Sequence, residues 1–571
     1  MPDLVLAFDL LVVLLLALLG GFVARKLHQP LILGYVLAGM LFGGVLLNFV
    51  HGQGLITPLA EFGVALLMFS LGIEFSFSRL SRVKNIVFWG GVIQILSTIL
   101  WGILIFPLLG FDFYPSLFLA SCFSLSSTAV VTKILTERGE LDSLPGEIMV
   151  GWLLIQDLAV LPMILILPQI AVLGTAGLSQ LLLVIGKAAV FLFSTFVLGR
   201  TVIPRILQAV AALNSREILV ITVVTLCLGA AFGTYALGLS FSLGAFLAGI
   251  IISESAQNHA VFSEVRPLRD IFSIIFFVSL GMLLTPSFLI SHLGIILALM
   301  LAVIIIKFFI VLLLVFFMEY HFKVAFLVAA GLVQVGEFSF ILARTGVTQN
   351  LISQEVYSLI ISVALLTIVI TPFLMSGAPR IHTRLNKLLA SRFPKVHRLL
   401  FARRMDQRVE EELSFDNHIV ICGYGRVGGW FGRALELCQI PFVVIDYNQE
   451  VVRDLKNKGV PVVYGDPADI DVLNYAKVDK ARIVVVAIPD RHTQELVISN
   501  ALSLNPKINI VCRIHHQEDR PRLKALGVQT LIQPEFEASL SMIHRILQEL
   551  GFDSVEVSGK IKRIKLEYGM G

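Results

Sequence analysis

Charge is scarce in this chain. Of its 571 residues only 15% are Asp, Glu, Lys or Arg, where a soluble protein carries about a quarter. That deficit excludes a single soluble globular protein, and 57% apolar residues exclude a disordered chain. The scarcity is also uneven. Residues 1–380 hold 17 basic and 17 acidic side chains, and residues 381–571 hold 27 and 23. Charge therefore occupies about 9% of the first part and about 26% of the second, which are values suited to two different solvents, a bilayer and water.

Cysteine is scarce too. Cys122, Cys227, Cys422, Cys438 and Cys512 form no CxxC and no Cys/His pair at metal spacing. This argues against a disulfide framework or a zinc site and for buried, reduced thiols. The net charge of +4 is too small to imply a nucleic-acid partner. The opening apolar run, residues 4–19, lacks a basic leader and an A-x-A site and is followed by Arg25 and Lys26. It reads as a first transmembrane helix rather than a cleaved signal.

What is present in abundance is long apolar runs. Thirteen stretches are long enough to span a bilayer: about 4–24, 30–50, 56–77, 85–109, 114–136, 147–170, 177–200, 216–233, 236–254, 267–285, 288–318, 322–343 and 354–377. Alternate loops carry Arg25/Lys26, Arg79/Arg82/Lys84, Lys133/Arg138, Arg200/Arg205/Arg216, Arg266/Arg269, Lys323 and Arg380. Only Arg344 falls on the other side. Basic loops stay inside, so the N-terminus is expected outside and the charged C-terminal region in the cytoplasm.

The chain repeats itself. Leu33-Gly34-Tyr35-Val36-Leu37-Ala38-Gly39 matches Leu243-Gly244-Ala245-Phe246-Leu247-Ala248-Gly249, and Ser70-Leu71-Gly72 matches Ser279-Leu280-Gly281. The offsets are 210 and 209 residues, a shift of seven spans. An odd shift makes the two halves cross in opposite directions, the inverted repeat common among secondary transporters.

An ionisable group deep in a bilayer costs several kcal/mol and marks function by default. Asp157 lies near the middle of the sixth span beside Gln156, whose amide oxygen could serve a cation. Lys307 lies deep in the eleventh. Lys187 in the seventh reads as structural, and Glu61 and Glu74 as interfacial. Two spans contain helix-hostile stretches in equivalent places: Ser124-Leu125-Ser126-Ser127-Thr128-Ala129-Val130-Val131-Thr132, and Gly331-Leu332-Val333-Gln334-Val335-Gly336-Glu337-Phe338-Ser339. Such pairs point to helices unwound at the midplane, tolerated only where backbone lines a cavity or is buried in protein. Ser127, Thr128 and Glu337 are their candidate ion-handling side chains.

The second part carries a different signature. The strand His418-Ile419-Val420-Ile421-Cys422 runs into Gly423-Tyr424-Gly425-Arg426-Val427-Gly428, and the next strand, Phe442-Val443-Val444-Ile445, ends in Asp446. G-x-G-x-x-G after a strand, with an acid 23 residues beyond Gly423, is the dinucleotide-binding pattern. Glycines admit a pyrophosphate to a helix N-terminus and the acid bonds an adenosine ribose. Further strands are expected at 462–464, 483–487 and 508–513, giving a doubly wound α/β domain. Gly423-Tyr424-Gly425 is not a potassium-channel filter, because it sits in a charged soluble domain without the preceding Thr-Val.

Two family resemblances follow. Ser126-Ser127-Thr128-Ala129-Val130-Val131, Gln156-Asp157, the Leu243-to-Gly249 motif, Phe276-Phe277-Val278-Ser279-Leu280-Gly281-Met282 and Gly336-Glu337-Phe338-Ser339-Phe340 make residues 1–380 resemble Kef-type monovalent cation/proton antiporters. The resemblance implies an inverted-repeat fold with core and dimerisation domains, an essential acid at Asp157 and an intramembrane base at Lys307. The pair Gln156-Asp157, rather than two adjacent acids, implies electroneutral exchange. Residues 416–545 resemble an RCK (TrkA-N) domain through the glycine loop, Asp446, Gly465-Asp466 and Ala487-Ile488-Pro489-Asp490. That implies NAD(H) or AMP as regulatory ligand, with Gly423, Tyr424, Gly425, Arg426, Val427, Gly428, Asp446, Asp466 and Ile488 as candidate contacts.

The expected organisation is a helical polytopic antiporter domain (1–380), a basic and polar linker with helical stretches (381–415), the Rossmann-like domain (416–545) and a tail (546–571). The expected function is non-enzymatic exchange of K+, or Na+, for H+ across a bacterial inner membrane. A homodimer is expected, with room for an ancillary subunit. A nucleotide- or ligand-gated potassium efflux channel is the alternative. A tethered dehydrogenase is disfavoured because no substrate domain follows the nucleotide fold.

Overall fold

The computed structural model describes residues 2–27, 31–46, 53–74, 85–170 save 142, 161, 165 and 169, 203–395 save 214, 237–240, 254, 256–257 and 283–285, and 416–567 save 515–516. The expected seventh span with Lys187, the loop bearing Arg79, Arg82 and Lys84, and most of the expected linker lie outside the described residues. Contacts divide the chain into two compact units. The first comprises Met1–Thr132, Ile148–Leu314 and Val328–Met375; the second comprises Lys133–Glu147, Val315–Leu327 and Ser376–Gly571.

The first unit is helical. Among the described residues, six helices are long and apolar enough to cross a membrane, and four shorter apolar helices accompany them. Their apolar surfaces are exposed over wide stretches: Leu301, Ile305, Phe309 and Leu313 of the helix Leu293–Phe317 are all solvent-facing in the isolated chain. In lipid such faces need no cover.

The two repeated motifs pack on one another. A Cβ on Gly39 would collide with the Val278 carbonyl, and one on Gly281 with the Val36 carbonyl. A Cβ on Gly249 would collide with the Phe69 carbonyl, and one on Gly72 with the Phe246 carbonyl. Shifting each member of the first pair of contacts by 209 or 210 residues gives the second pair. Small residues let helix backbones touch where no hydrophobic effect drives association, so the repeat seen in sequence is a pair of matching helix crossings in space.

The two helix-hostile stretches are breaks. The first separates Phe113–Ser124 from Thr128–Arg138, and the second separates Phe322–Gly331 from Phe338–Thr348. The helix that carries the thirteenth expected span, Gln354–Arg392, is 39 residues long in all and runs through 380 into the linker, where helical stretches are expected.

The second unit is built on a six-stranded parallel sheet in the order β3-β2-β1-β4-β5-β6, with β1 Ile419–Cys422, β2 Phe442–Asp446, β3 Val462–Tyr464, β4 Ile483–Val486, β5 Asn509–Arg513 and β6 Thr530–Ile532. Strands β1 and β2 are buried along their whole length, which is why they read as continuous apolar runs rather than alternating ones. The order reverses between β1 and β4, and a ligand crevice is expected at that switch point. Strand β6 was not anticipated; three residues flanked by Gln are too short to register as a periodic pattern.

Candidate functional site

In the first unit the two breaks meet. The Gly336 N–H donates to the Leu125 carbonyl at 3.0 Å. The Ser126 hydroxyl donates to the Leu332 carbonyl at 3.0 Å, and the Ser127 hydroxyl to the Glu337 carboxylate at 2.7 Å. Ser127 and Glu337 are 210 residues apart, the spacing of the repeat. Unwound backbone at depth must find partners within the protein, and each break supplies them to the other.

Lys307 is fully buried and donates to three oxygens at this crossing: the Gln334 carbonyl at 2.7 Å, the Ser126 hydroxyl at 2.9 Å and the Leu125 carbonyl at 3.2 Å. Leu125 and Gln334 follow the C-terminal ends of the half-helices Phe113–Ser124 and Phe322–Gly331. Helix C-termini carry negative partial charge and N-termini positive. The Lys307 amine thus faces the two C-terminal ends. The acids stand at the opposite ends: Thr128 opens its half-helix and donates to Asp157 at 2.8 Å, and Glu337 immediately precedes Phe338.

Asp157 and Gln156 lie in the helix Leu144–Pro168, and both are buried. The Gln156 amide oxygen accepts the Ser126 N–H at 2.7 Å, and its nitrogen donates to the Gln94 oxygen at 2.7 Å. Gln94 in turn donates to the Ser124 carbonyl at 3.2 Å and to Thr98 at 3.0 Å. The glutamine expected to serve a cation therefore spends its oxygen on the backbone of the first break. Gln94 was missed by sequence reasoning, although a lone amide within Gly-Gly-Val-Ile-Gln-Ile-Leu was a signal. Among the crossing's neighbours, the Gln334 side-chain amide is fully buried with neither end hydrogen-bonded. Arg344, the basic residue that fell on the wrong side, pairs with Glu61 at 3.1 Å.

The second site is the crevice at the sheet's switch point. Its cavity, about 340 Å³, is lined by Gly423, Gly425, Arg426, Val427, Asp446 and Ile488 from the expected set. That volume lies within the range of small-molecule sites. Gly423 has φ +91°, a left-handed conformation that side chains resist, and Gly428 lets the helix Arg426–Leu437 press against the Gly423 carbonyl. Asp446 braces the loop: its two oxygens accept the N–H groups of Tyr424 and Asn448, each at 2.7 Å. Burial pushes the Asp446 carboxyl above its usual range, and those backbone donors pull partly against it.

Three of the expected contacts stand elsewhere. Tyr424, Gly428 and Asp466 do not line this cavity: the Tyr424 ring lies against Gly432, the Gly428 backbone abuts the Gly423 carbonyl, and Asp466 accepts from Lys323. Conversely, Gly139, Ser143, Leu144 and Glu147 line the crevice. Gly139 and Ser143 come from the segment joining the half-helix Thr128–Arg138 to the helix of Asp157, and Leu144 and Glu147 from the first turn of that helix, none of which a local motif marks. Nearby, burial and then Asp490 push the Glu140 carboxyl up to about 7, with Arg138 opposing. Among the described residues no cluster of His, Cys, Asp and Glu could hold a metal ion.

The arrangement matches known families. Residues 12–376 match the model "Sodium/hydrogen exchanger, transmembrane", and residues 419–534 match the TrkA-N domain. The chain is 34% identical to the cation/proton antiporter YbaL of Escherichia coli over 93% of this chain and 95% of that protein. It is 27% identical to the K(+) efflux antiporter KefB of Alkalimonas amylolytica, over 95% and 81%. It is 37% identical to the K(+) efflux antiporter 4 of Arabidopsis thaliana, over 66% and 65%.

Proposed function

Because the chain belongs to the sodium/hydrogen exchanger family, Kef-type with a C-terminal RCK domain, we propose that it exchanges K+, or Na+, for H+ at the crossing of its two broken helices. The observation that carries this reading is the buried Asp157 bonded to Thr128 at the head of a half-helix, with Lys307 at the opposite helix ends. A single carboxylate bears one charge. Either a proton or a desolvated cation neutralises it, so the two compete and the exchange is electroneutral. Thr128 and the half-helix N-terminus hold the carboxylate; Ser127 and Glu337 tie the breaks together. Gln156 acts as a brace through the Ser126 N–H, rather than as the cation's amide ligand. Lys307 neutralises the two C-terminal ends whether or not the acid is occupied.

The protein is an integral membrane transporter, not an enzyme. The placement in a bacterial inner membrane with the RCK domain in the cytoplasm, and a homodimer with or without an ancillary subunit, complete the proposal. An uncoupled channel has less support, since the family to which the membrane part belongs is one of exchangers.

The crevice at 423–428 is the regulatory site for NAD(H) or AMP. A helix N-terminus preceded by glycines takes phosphate, Asp446 takes a ribose hydroxyl, and Arg426 and Arg513 line the walls. The segment 139–147 on the crevice wall leads directly into the helix of Asp157, so a ligand that favours one position of this segment biases transport. Such a bias requires different affinities for the two states. The test is exchange in proteoliposomes holding a pH gradient. Added K+ or Na+ should collapse the gradient without building a membrane potential, and NADH or AMP should change the rate. Cation flux with no proton movement would refute the exchanger.

A further inference from the structure

Lys323 is the residue the nucleotide reading leaves unexplained. It is the second residue of the half-helix Phe322–Gly331, the arm that leads into the second break. Its ammonium is buried, 7% exposed, and donates to Asp466, itself 12% exposed, at 2.8 Å and to the Thr493 hydroxyl at 2.8 Å. The Thr493 hydroxyl donates its own hydrogen bond to Asp490, which caps the helix Arg491–Leu504. Asp466 completes the arrangement by accepting the Ala468 N–H at 3.1 Å. A basic residue at a helix start would ordinarily be unfavourable and snorkel to water; here it is enclosed and paired instead.

Two links join this pair to the nucleotide crevice. The N–H of Gly465, the residue before Asp466, donates to the Asp446 carbonyl at 3.1 Å, across the ends of β2 and β3. The ring of Tyr447, which lines the crevice, stacks at 6.4 Å on His321, whose Nδ1 accepts the Lys323 N–H at 3.2 Å. Burial holds His321 down at about 4, with Lys323 adding to that and Asp466 opposing, so its ring is neutral and free to accept. Burial also raises Asp466, but the Lys323 ammonium beside it, together with its hydrogen bond and that of the Ala468 N–H, outweighs burial and holds the carboxyl below its usual range.

We infer that the Lys323–Asp466–Thr493 cluster is the latch through which nucleotide in the crevice acts on the second broken helix, with Lys323 as a positioning residue for the transport site. A ligand that settles on Asp446 and Tyr447 shifts Asp466 and His321 together, and Lys323 carries that shift to the start of the half-helix whose far end presents Gln334 and Glu337. This rests on the regulatory reading above.

The test uses the full chain in two measurements: NADH and AMP affinity of the purified protein, and K+/H+ exchange in proteoliposomes with and without each nucleotide. Lys323→Gln should bind nucleotide like the wild type, while the nucleotide-dependent change in rate, about fivefold or more for a coupled site, falls to about onefold. Asp466→Asn should lose the same response, the double variant should lose no more than either single one, and Lys323→Arg should keep most of it. A wild-type-sized response in Lys323→Gln overturns the latch, as does a lost response that merely tracks lost affinity. If Lys323→Gln does not assemble, Asp466→Asn against Lys323→Arg decides on the same readouts. A wild-type protein that binds nucleotide without any change in rate overturns the regulatory reading itself, and the latch with it.

Discussion

Replacing Lys307 by methionine keeps the length and apolar character of the side chain and removes one buried ammonium. Three hydrogen bonds from a charged donor disappear, each worth about 1.5–3 kcal/mol. Against that loss, the protein no longer bears the desolvation of the ammonium, several kcal/mol. The balance turns on what the acceptors do next. Leu125 keeps the Gly336 N–H at 3.0 Å. Ser126 keeps its bond to Leu332 and its N–H bond to Gln156. The Gln334 carbonyl keeps no hydrogen-bond donor that the described contacts supply. One orphaned buried carbonyl costs about 1–3 kcal/mol, which in a thermal melt of the detergent-solubilised protein is a fall of about 1–3 °C for a chain of this length. Transport should fall more steeply than stability, because the two negative helix ends that Lys307 neutralised now face each other across the crossing. A variant that melts with the wild type and exchanges at the wild-type rate would refute the electrostatic account of the crossing.

Two further perturbations probe the second unit. Asp446→Ala removes both the acid proposed for the ribose and the brace on the Tyr424 and Asn448 N–H groups, so nucleotide affinity of the full chain should drop about tenfold or more; an unchanged affinity by calorimetry would refute the crevice assignment. Glu140, raised from 4.5 to about 7 by burial and then Asp490, holds its proton more tightly in the folded state than unfolded. Its ionisation therefore subtracts stability progressively as pH rises from about 4.5 to 7, and by a constant amount above that. Glu140→Gln should stabilise the protein little at pH 5 and, after solvent screening, by on the order of 1 kcal/mol at pH 8. Melts showing the same difference at both pH values would contradict that sign.

The sequence was most legible where a residue type clashed with its surroundings. Asp157 and Lys307 stand alone in apolar spans, and the two helix-hostile stretches interrupt otherwise regular ones; all four meet or flank one crossing. The crevice at the sheet's switch point was legible because its parts are local: a strand, a glycine turn and an acid at the end of the next strand. What could not be read depends on partners distant in the chain. Gln156 beside Asp157 suggests a cation ligand until Gln94, 62 residues away, and the Ser126 N–H are seen to engage its amide. Asp466 after β3 suggests a nucleotide contact until Lys323, 143 residues earlier, is found on it. The helix Gln354–Arg392 passes unbroken through Pro372, Gly377 and Pro379: the Thr371 hydroxyl bonds back to the Thr367 carbonyl, and prolines and glycines need not stop a helix embedded among others.

The central claim is that one carboxylate carries both substrates. Asp157→Asn keeps the shape of the side chain and its bond to Thr128 but can neither bind a proton nor balance a cation. In proteoliposomes holding a pH gradient, the wild type should dissipate the gradient when K+ or Na+ is added, and Asp157→Asn should leave it standing at every pH and cation concentration. Gradient collapse by Asp157→Asn at a rate comparable to the wild type would contradict the account.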